Sequence, residues 1–198
     1  LVVTAEENPW SFSLRTIAVG CDGVEEPVAA SDPEVEGNRV TYRRGSWDEW
    51  YLNGPLGLEQ GFTWTNAPTC TGTKSIRMQV EGELGAKLNA AGDAVELVDT
   101  EGRTALRYAD LVVKDATGTS LSAWMTVGAG ELALHWDDTG ATYPVVVDPL
   151  VATPEDKLLS GDTGAGDQFG ASVALSEDEL LVRRKAWTPR RTDYQSGA

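Results

Sequence analysis

The sequence predicts an all-β protein built as an antiparallel β-sandwich. Three observations carry this expectation. Apolar residues recur with a period of two along most of the chain. Turn signals interrupt them at intervals of roughly eight to twelve residues, and no stretch shows a capped 3.6-residue stripe. Many short strands joined by tight turns bury their apolar sides by stacking sheet on sheet or by closing a barrel.

Taken in order, SFSLRTIAVG (11–20) alternates Phe12, Leu14 and, less cleanly, Ile17. Residues 22–38, DGVEEPVAASDPEVEGN, are acidic with two prolines and read as a surface loop before RVTYRRG (39–45). EWYLNGPLGLEQGFTW (49–64) reads as a hairpin with an irregular turn. Gly54 is free to take positive φ, Pro55 fixes its own, and Gly57 and Gly61 allow close backbone approach or a bulge. In SIRMQVEG (75–82), Ile76, Met78 and Val80 share a face; in ELALHWDD (131–138), Leu132, Leu134 and Trp136 do. DAVELVD, TALRYADLVVKD, LSAWMTVG and YPVVVD each read as a short strand. Turns are expected at 90–93, 100–103, 116–119, 128–130 and 137–140.

A net charge of −15 and a pI near 4.4 argue against a nucleic-acid partner, which needs clustered Lys and Arg, and against docking on anionic lipid. No run approaches the roughly 18 apolar residues of a membrane helix, so no membrane insertion is expected. The chain opens at Leu1 without a basic-then-apolar leader and reads as a processed or excised piece. Cys21 and Cys70 are the two cysteines; without a C-x-x-C spacing they do not suggest zinc.

Candidate chemistry is sparse. Glu49 and Glu59 form a nominal acid/base pair, but both sit among strand residues as solvent-facing charges do. His135, the sole histidine, alternates with Leu134 and Trp136 and is expected off the core face, without a G-x-S-x-G elbow to serve. Asp137 and Asp138 belong first to a turn, and Asp162 and Asp167 to a loop entering a strand. Asp148 is expected to end a strand before Pro149 and to accept backbone N–H bonds there. Seven tryptophans leave one binding option: an aromatic platform of Trp47, Trp50, Tyr51 and Trp64 for a polysaccharide.

Two segments then carry a resemblance. RVTYRRG and EWYLNGPLGLEQGFT, with GATYPVVVDPL at 140–150, resemble the β-sandwich domain at the front of large secreted bacterial surface proteins. KLLSGDTGAGDQFGASVALSEDELLV (157–182) is similar to the opening of an FG-GAP repeat, the blade unit of the integrin-α-type β-propeller. The resemblance implies a non-catalytic, adhesin-like module that is secreted or displayed on the cell surface. It does not imply a known ligand; the expected partners are protein or polysaccharide at the cell surface, and no cofactor is expected. In such a setting the two cysteines, readable as buried thiols or as a bridge, are expected to form a disulfide from the first strand to the end of QGFTW.

The expected organisation is a sandwich over 1–151, a linker and incomplete propeller-blade hairpin over 152–182, and a basic, disordered tail over 183–198. In the blade, Phe169, Ala171, Val173 and Leu175 share a face, and ELLV returns over SEDE. Two departures stand out. The chain runs from Val182 into Arg183-Arg184-Lys185 where a blade has a Gly-Ala-Pro-like turn, and no D-x-D-x-D-G calcium loop is present. The tail therefore reads as a truncated or out-of-frame end. A carbohydrate-binding sandwich ranks second to the interaction module, and a hydrolase ranks last.

Overall fold

The computed structural model describes residues 2–4, 10–54, 57–152, 168–176 and 179–185. The chain divides into two compact units, Leu1–Pro154 and Glu155–Ala198. The described residues contain no helix, and hence none long and apolar enough to cross a membrane.

The first unit is a pair of open antiparallel sheets. Sheet A holds β1 (Val2–Thr4), β2 (Ser11–Cys21), β3 (Val24–Pro27), β8 (Lys74–Gly82), β12 (Ala123–Gly128) and β13 (Glu131–Trp136). Its order is β1-β2-β8-β13-β12, with β3 also on β2. Sheet B holds β4 (Pro33–Glu36), β5 (Arg39–Arg43), β6 (Trp47–Gly54), β7 (Gly57–Trp64), β9 (Gly85–Leu88), β10 (Val95–Val98), β11 (Thr104–Lys114) and β14 (Val145–Ala152). Its order is β4-β5-β6-β7-β14-β11-β10-β9. Between the sheets lies one core: Phe12, Leu14, Ile76, Met78, Leu132, Leu134 and Trp136 from sheet A, against Trp47, Phe62, Trp64, Val95, Leu97, Tyr108, Val145 and Val147 from sheet B. Period-two alternation has produced the sandwich it predicts, since each strand needs one buried side.

The uneven alternation in SFSLRTIAVG has a physical cause. The β2–β8 register shifts between Thr16 and Ala18, so the extra residue Ile17 changes which side chains face inward. The expected loop at 22–38 is corrected: it contains β3 and β4, added to β2 and β5 at the sheet margins. All eight of their residues are exposed, so they carry no apolar alternation to read. Asp148 is corrected too. β14 continues through Pro149 to Ala152, Asp148 pairs with Val112 in the ladder to β11, the ladder to β7 skips Asp148 and Pro149, and no hydrogen bond to the Asp148 carboxylate is found among the described residues. Gly118 (φ 83°) and Gly140 (φ 78°) take left-handed backbone in two of the expected turns.

Cys21 and Cys70 form a disulfide with Cα atoms 5.8 Å apart. It joins the end of β2 to the loop crossing from sheet B to sheet A, six residues beyond the end of β7. Lys74 lies beside it, nearly fully buried. Its ammonium pairs with Asp138 at 3.0 Å and donates to the carbonyls of Gly72 and Cys70 at 3.0 and 3.3 Å. This end of the sandwich is thus closed by one covalent and one ionic tie.

The second unit contains β15 (Gln168–Ser176) and β16 (Glu179–Lys185), an antiparallel pair with an irregular register between Gln168 and Ser172. β16 extends three residues into the stretch expected as a basic tail, because ladder bonds come from the backbone and tolerate cationic side chains. Residues 186–198, with Asp162 and Asp167, lie outside the described residues.

Candidate functional site

Strand β6 sends alternate side chains to opposite sides of sheet B, and both sides are aromatic. Trp47, Glu49 and Tyr51 face inward; Asp48, Trp50 and Leu52 face outward. Inward, Trp47 and Trp64 stack at 5.4 Å between ring centroids, and Trp64 meets Trp136 of the facing sheet at 6.0 Å. Outward, Trp50 pairs across strands with Gly61 and lies flat over it. A Cβ on Gly61 would come within 2.0 Å of the Trp50 ring. The Trp50 indole N–H donates to Thr63 Oγ1 at 3.1 Å, and the Arg39 guanidinium sits 4.2 Å from the ring.

The four expected platform residues therefore present no platform. Trp47, Trp50 and Trp64 are 5%, 6% and 3% exposed. Half-buried Tyr51 packs at right angles to the Tyr42 ring, 6.2 Å between centroids, and its hydroxyl is bound inside the sandwich. A sugar ring needs an open indole face, and these are covered by glycine-backed packing, cation contact or other rings.

The expectation for Glu49 is corrected as well. It does not face solvent; it is 2% exposed, between the sheets. Its Oε1 accepts from Thr16 Oγ1 (2.8 Å), the Tyr51 hydroxyl (2.8 Å) and Gln60 Nε2 (3.3 Å). Its Oε2 accepts from Arg44 Nη2 at 2.8 Å. Gln60, fully buried, accepts from the Tyr108 hydroxyl at 2.9 Å and donates to the Tyr51 hydroxyl at 3.0 Å. Arg44 also bonds the Ala29 carbonyl and lies 5.4 and 5.5 Å from the Tyr42 and Trp47 rings. Burial, then the charge of Glu49, push the Tyr51 hydroxyl far above its ordinary pKa, and burial does the same for Tyr108.

A cleft of about 340 Å³ opens over this cluster between β2 and β6, with Thr16, Tyr42, Arg44, Glu49 and Tyr51 in its walls. The carboxylate is hydrogen-bonded at both oxygens. Four side-chain donors, three on Oε1 and Arg44 on Oε2, fix the carboxylate in place between the sheets. Glu59 cannot assist: it alternates with inward Gln60 and so projects from the other side of the sheet. Glu59 instead neighbours half-buried Asp148, whose carboxyl is pushed up by burial first and by Glu59 second.

The remaining candidates take structural places. His135 points off the core, stacks on Trp124 at 5.5 Å and 17°, and has Nε2 2.9 Å from Thr126 Oγ1. Burial holds its pKa below the ordinary value, and no carboxylate bonds to it among the described residues. Asp137 accepts the Thr139 N–H in its turn, while Asp138 binds Lys74 and the Tyr143 hydroxyl. Among the described residues no group of three His, Cys, Asp or Glu is placed to hold a metal ion.

Residues 153–183 match the family model of the FG-GAP repeat. The matched stretch begins after β14 in the sequence and includes β15 and residues 179–183 of β16. No curated protein and no solved structure matches the chain.

Sequence reasoning missed Trp124, which is 41% exposed. The signal was present: in LSAWMTVG, inward Met125 requires an outward Trp124.

Proposed function

We propose that the chain is a non-catalytic interaction module of a secreted or surface-displayed bacterial protein, with the sandwich leading into a partial FG-GAP-like blade. The observation that carries this reading is the FG-GAP repeat at 153–183. Such repeats point to extracellular interaction modules. The Cys21–Cys70 disulfide supports the reading, since such bonds persist outside the reducing cytosol. The hydrogen-bonded Glu49 cluster, on the opposite side of the sheet from Glu59, supports a structural role for this buried charge. The partners are protein or polysaccharide at the cell surface.

Fractionating the source cells tests the proposal. An antibody to the sandwich is expected to find the protein in the medium or among surface-shaved proteins, with no alkylatable thiol before reduction. Recovery in the cytosol with both thiols free overturns it.

A further inference from the structure

Trp124 is on β12, the edge strand of sheet A. His135 of β13 covers one face of its ring. β13 lies on one side of β12 only, so the other ring face is turned toward the free edge. A cavity of about 270 Å³ opens there, with Asp93, Arg107, Asp110 and Trp124 in its lining.

Topology makes this gap. β11 and the approach to β12 meet where Leu121 N–H donates to the Val113 carbonyl at 2.9 Å, and Lys114 bridges Ser120. β11 breaks register with β14 between Ala109 and Val112. Asp110 stands in that break at φ 54°, a left-handed conformation that side-chain-bearing residues rarely take and that recurs at functional sites. Arg107 is held in the ladders to β10 and β14 by its backbone, and neither its guanidinium nor the Asp110 carboxylate has a hydrogen bond or ion pair among the described residues. Asp93 accepts one bond, from Asn89 Nδ2 at 2.7 Å.

The site offers a flat apolar surface, two carboxylates that only accept and a guanidinium that only donates. Arg107 disfavours a bare cation, and Asp93 with Asp110 disfavours an anion. A neutral polyol uses every group. Its C–H face packs on the indole, its hydroxyls donate to the carboxylates, and its oxygens accept from Arg107. At about 270 Å³ the cavity falls just below the roughly 300–1,000 Å³ typical of ligand pockets, which limits it to a single ring. We propose that the Trp124 cleft binds a neutral pyranose unit of a surface or matrix glycan. This rests on the interaction-module reading and names its ligand class.

The full chain is applied to an array of neutral glucose-, galactose- and mannose-terminated oligosaccharides, with sialylated glycans and choline as separate arms. The strongest neutral ligand is then titrated by calorimetry. Binding to a neutral glycan is expected, weakened at least tenfold in Trp124→Ala and at least threefold in Arg107→Gln, with native near-UV circular dichroism in both. Because Arg107 is exposed, its variant remains informative if Trp124→Ala unfolds. Failure of every neutral glycan, retention of only sialylated glycans or choline, or undiminished binding by both variants overturns the site. Those results leave the interaction-module reading standing, because that reading falls on cytosolic recovery with free thiols.

Discussion

The β6–β7 hairpin and the β12 edge both carry tryptophan, and they use it in opposite ways. In the hairpin, Trp50 is paired with Gly61 and collapses onto it, while Trp47 and Trp64 join the core. At the edge, Trp124 has a neighbour on one side only and keeps a face open. A ring is available for binding because of what lies across from it, not because aromatics are dense nearby. The denser cluster is the structural one, and the isolated ring is the free one.

Breaking the inner side of the hairpin is expected to have the largest effect. Glu49→Ala strips the acceptor from Arg44, Thr16, Tyr51 and Gln60 at once and strands a cation beneath the cleft. Loss of one partner from a buried pair costs about 3–5 kcal/mol, read from the denaturant midpoint. Glu49→Gln keeps one acceptor oxygen and loses the charge, for about 1–3 kcal/mol.

Opening the disulfide comes next. Removing the Cys21–Cys70 bridge, with its 49-residue separation, costs roughly 4 kcal/mol on the chain-entropy model. The double Cys→Ala variant measures it. Gly61→Val follows. Its side chain would occupy the space of the Trp50 ring, at about 1–3 kcal/mol. Trp50→Ala in the same background relieves the clash, so the pair should couple in a double-mutant cycle.

Acid acts on the other side of the comparison. Asp115, in the loop between β11 and β12, accepts the Thr117 hydroxyl and the N–H groups of Thr117, Thr119 and Thr142. The Thr117 hydroxyl and the Thr142 N–H lead in lowering its pKa to about 2 from the ordinary 3.8. A depressed carboxylate contributes stability above its unfolded pKa and loses it as pH falls through the folded one. Stability is therefore expected to drop between about pH 4 and pH 2, with Asp99 and Asp137, lowered by bonds from Arg103 and Thr139, acting in the same direction. Asp115→Asn should flatten that slope. Glu59→Gln, on the outer side of the sheet, is the smallest change, within about 0.5 kcal/mol of the parent.

The sequence made the sandwich legible where one side of a strand is apolar, as in Ile76-Met78-Val80 and Leu132-Leu134-Trp136. It could not show β3 and β4, whose exposed residues pair by backbone alone. It could not orient β6, because Trp47-Glu49-Tyr51 and Asp48-Trp50-Leu52 each mix aromatic with polar. Only the pairing register assigns Gly61 to Trp50, and only the facing sheet supplies Thr16 to Glu49. The first depends on the register of the hairpin and the second on a strand 33 residues away, and a local pattern encodes neither. Trp124 was legible from alternation, but its openness depends on β12 being an edge.

Hydroxyl-radical footprinting of the native protein, read by mass spectrometry at each tryptophan, tests the contrast most directly. The account predicts rapid oxidation of Trp124, with Trp47, Trp50, Trp64 and Trp136 protected until the chain is unfolded. Oxidation of Trp50 or Trp64 as fast as that of Trp124 in the folded state would contradict it.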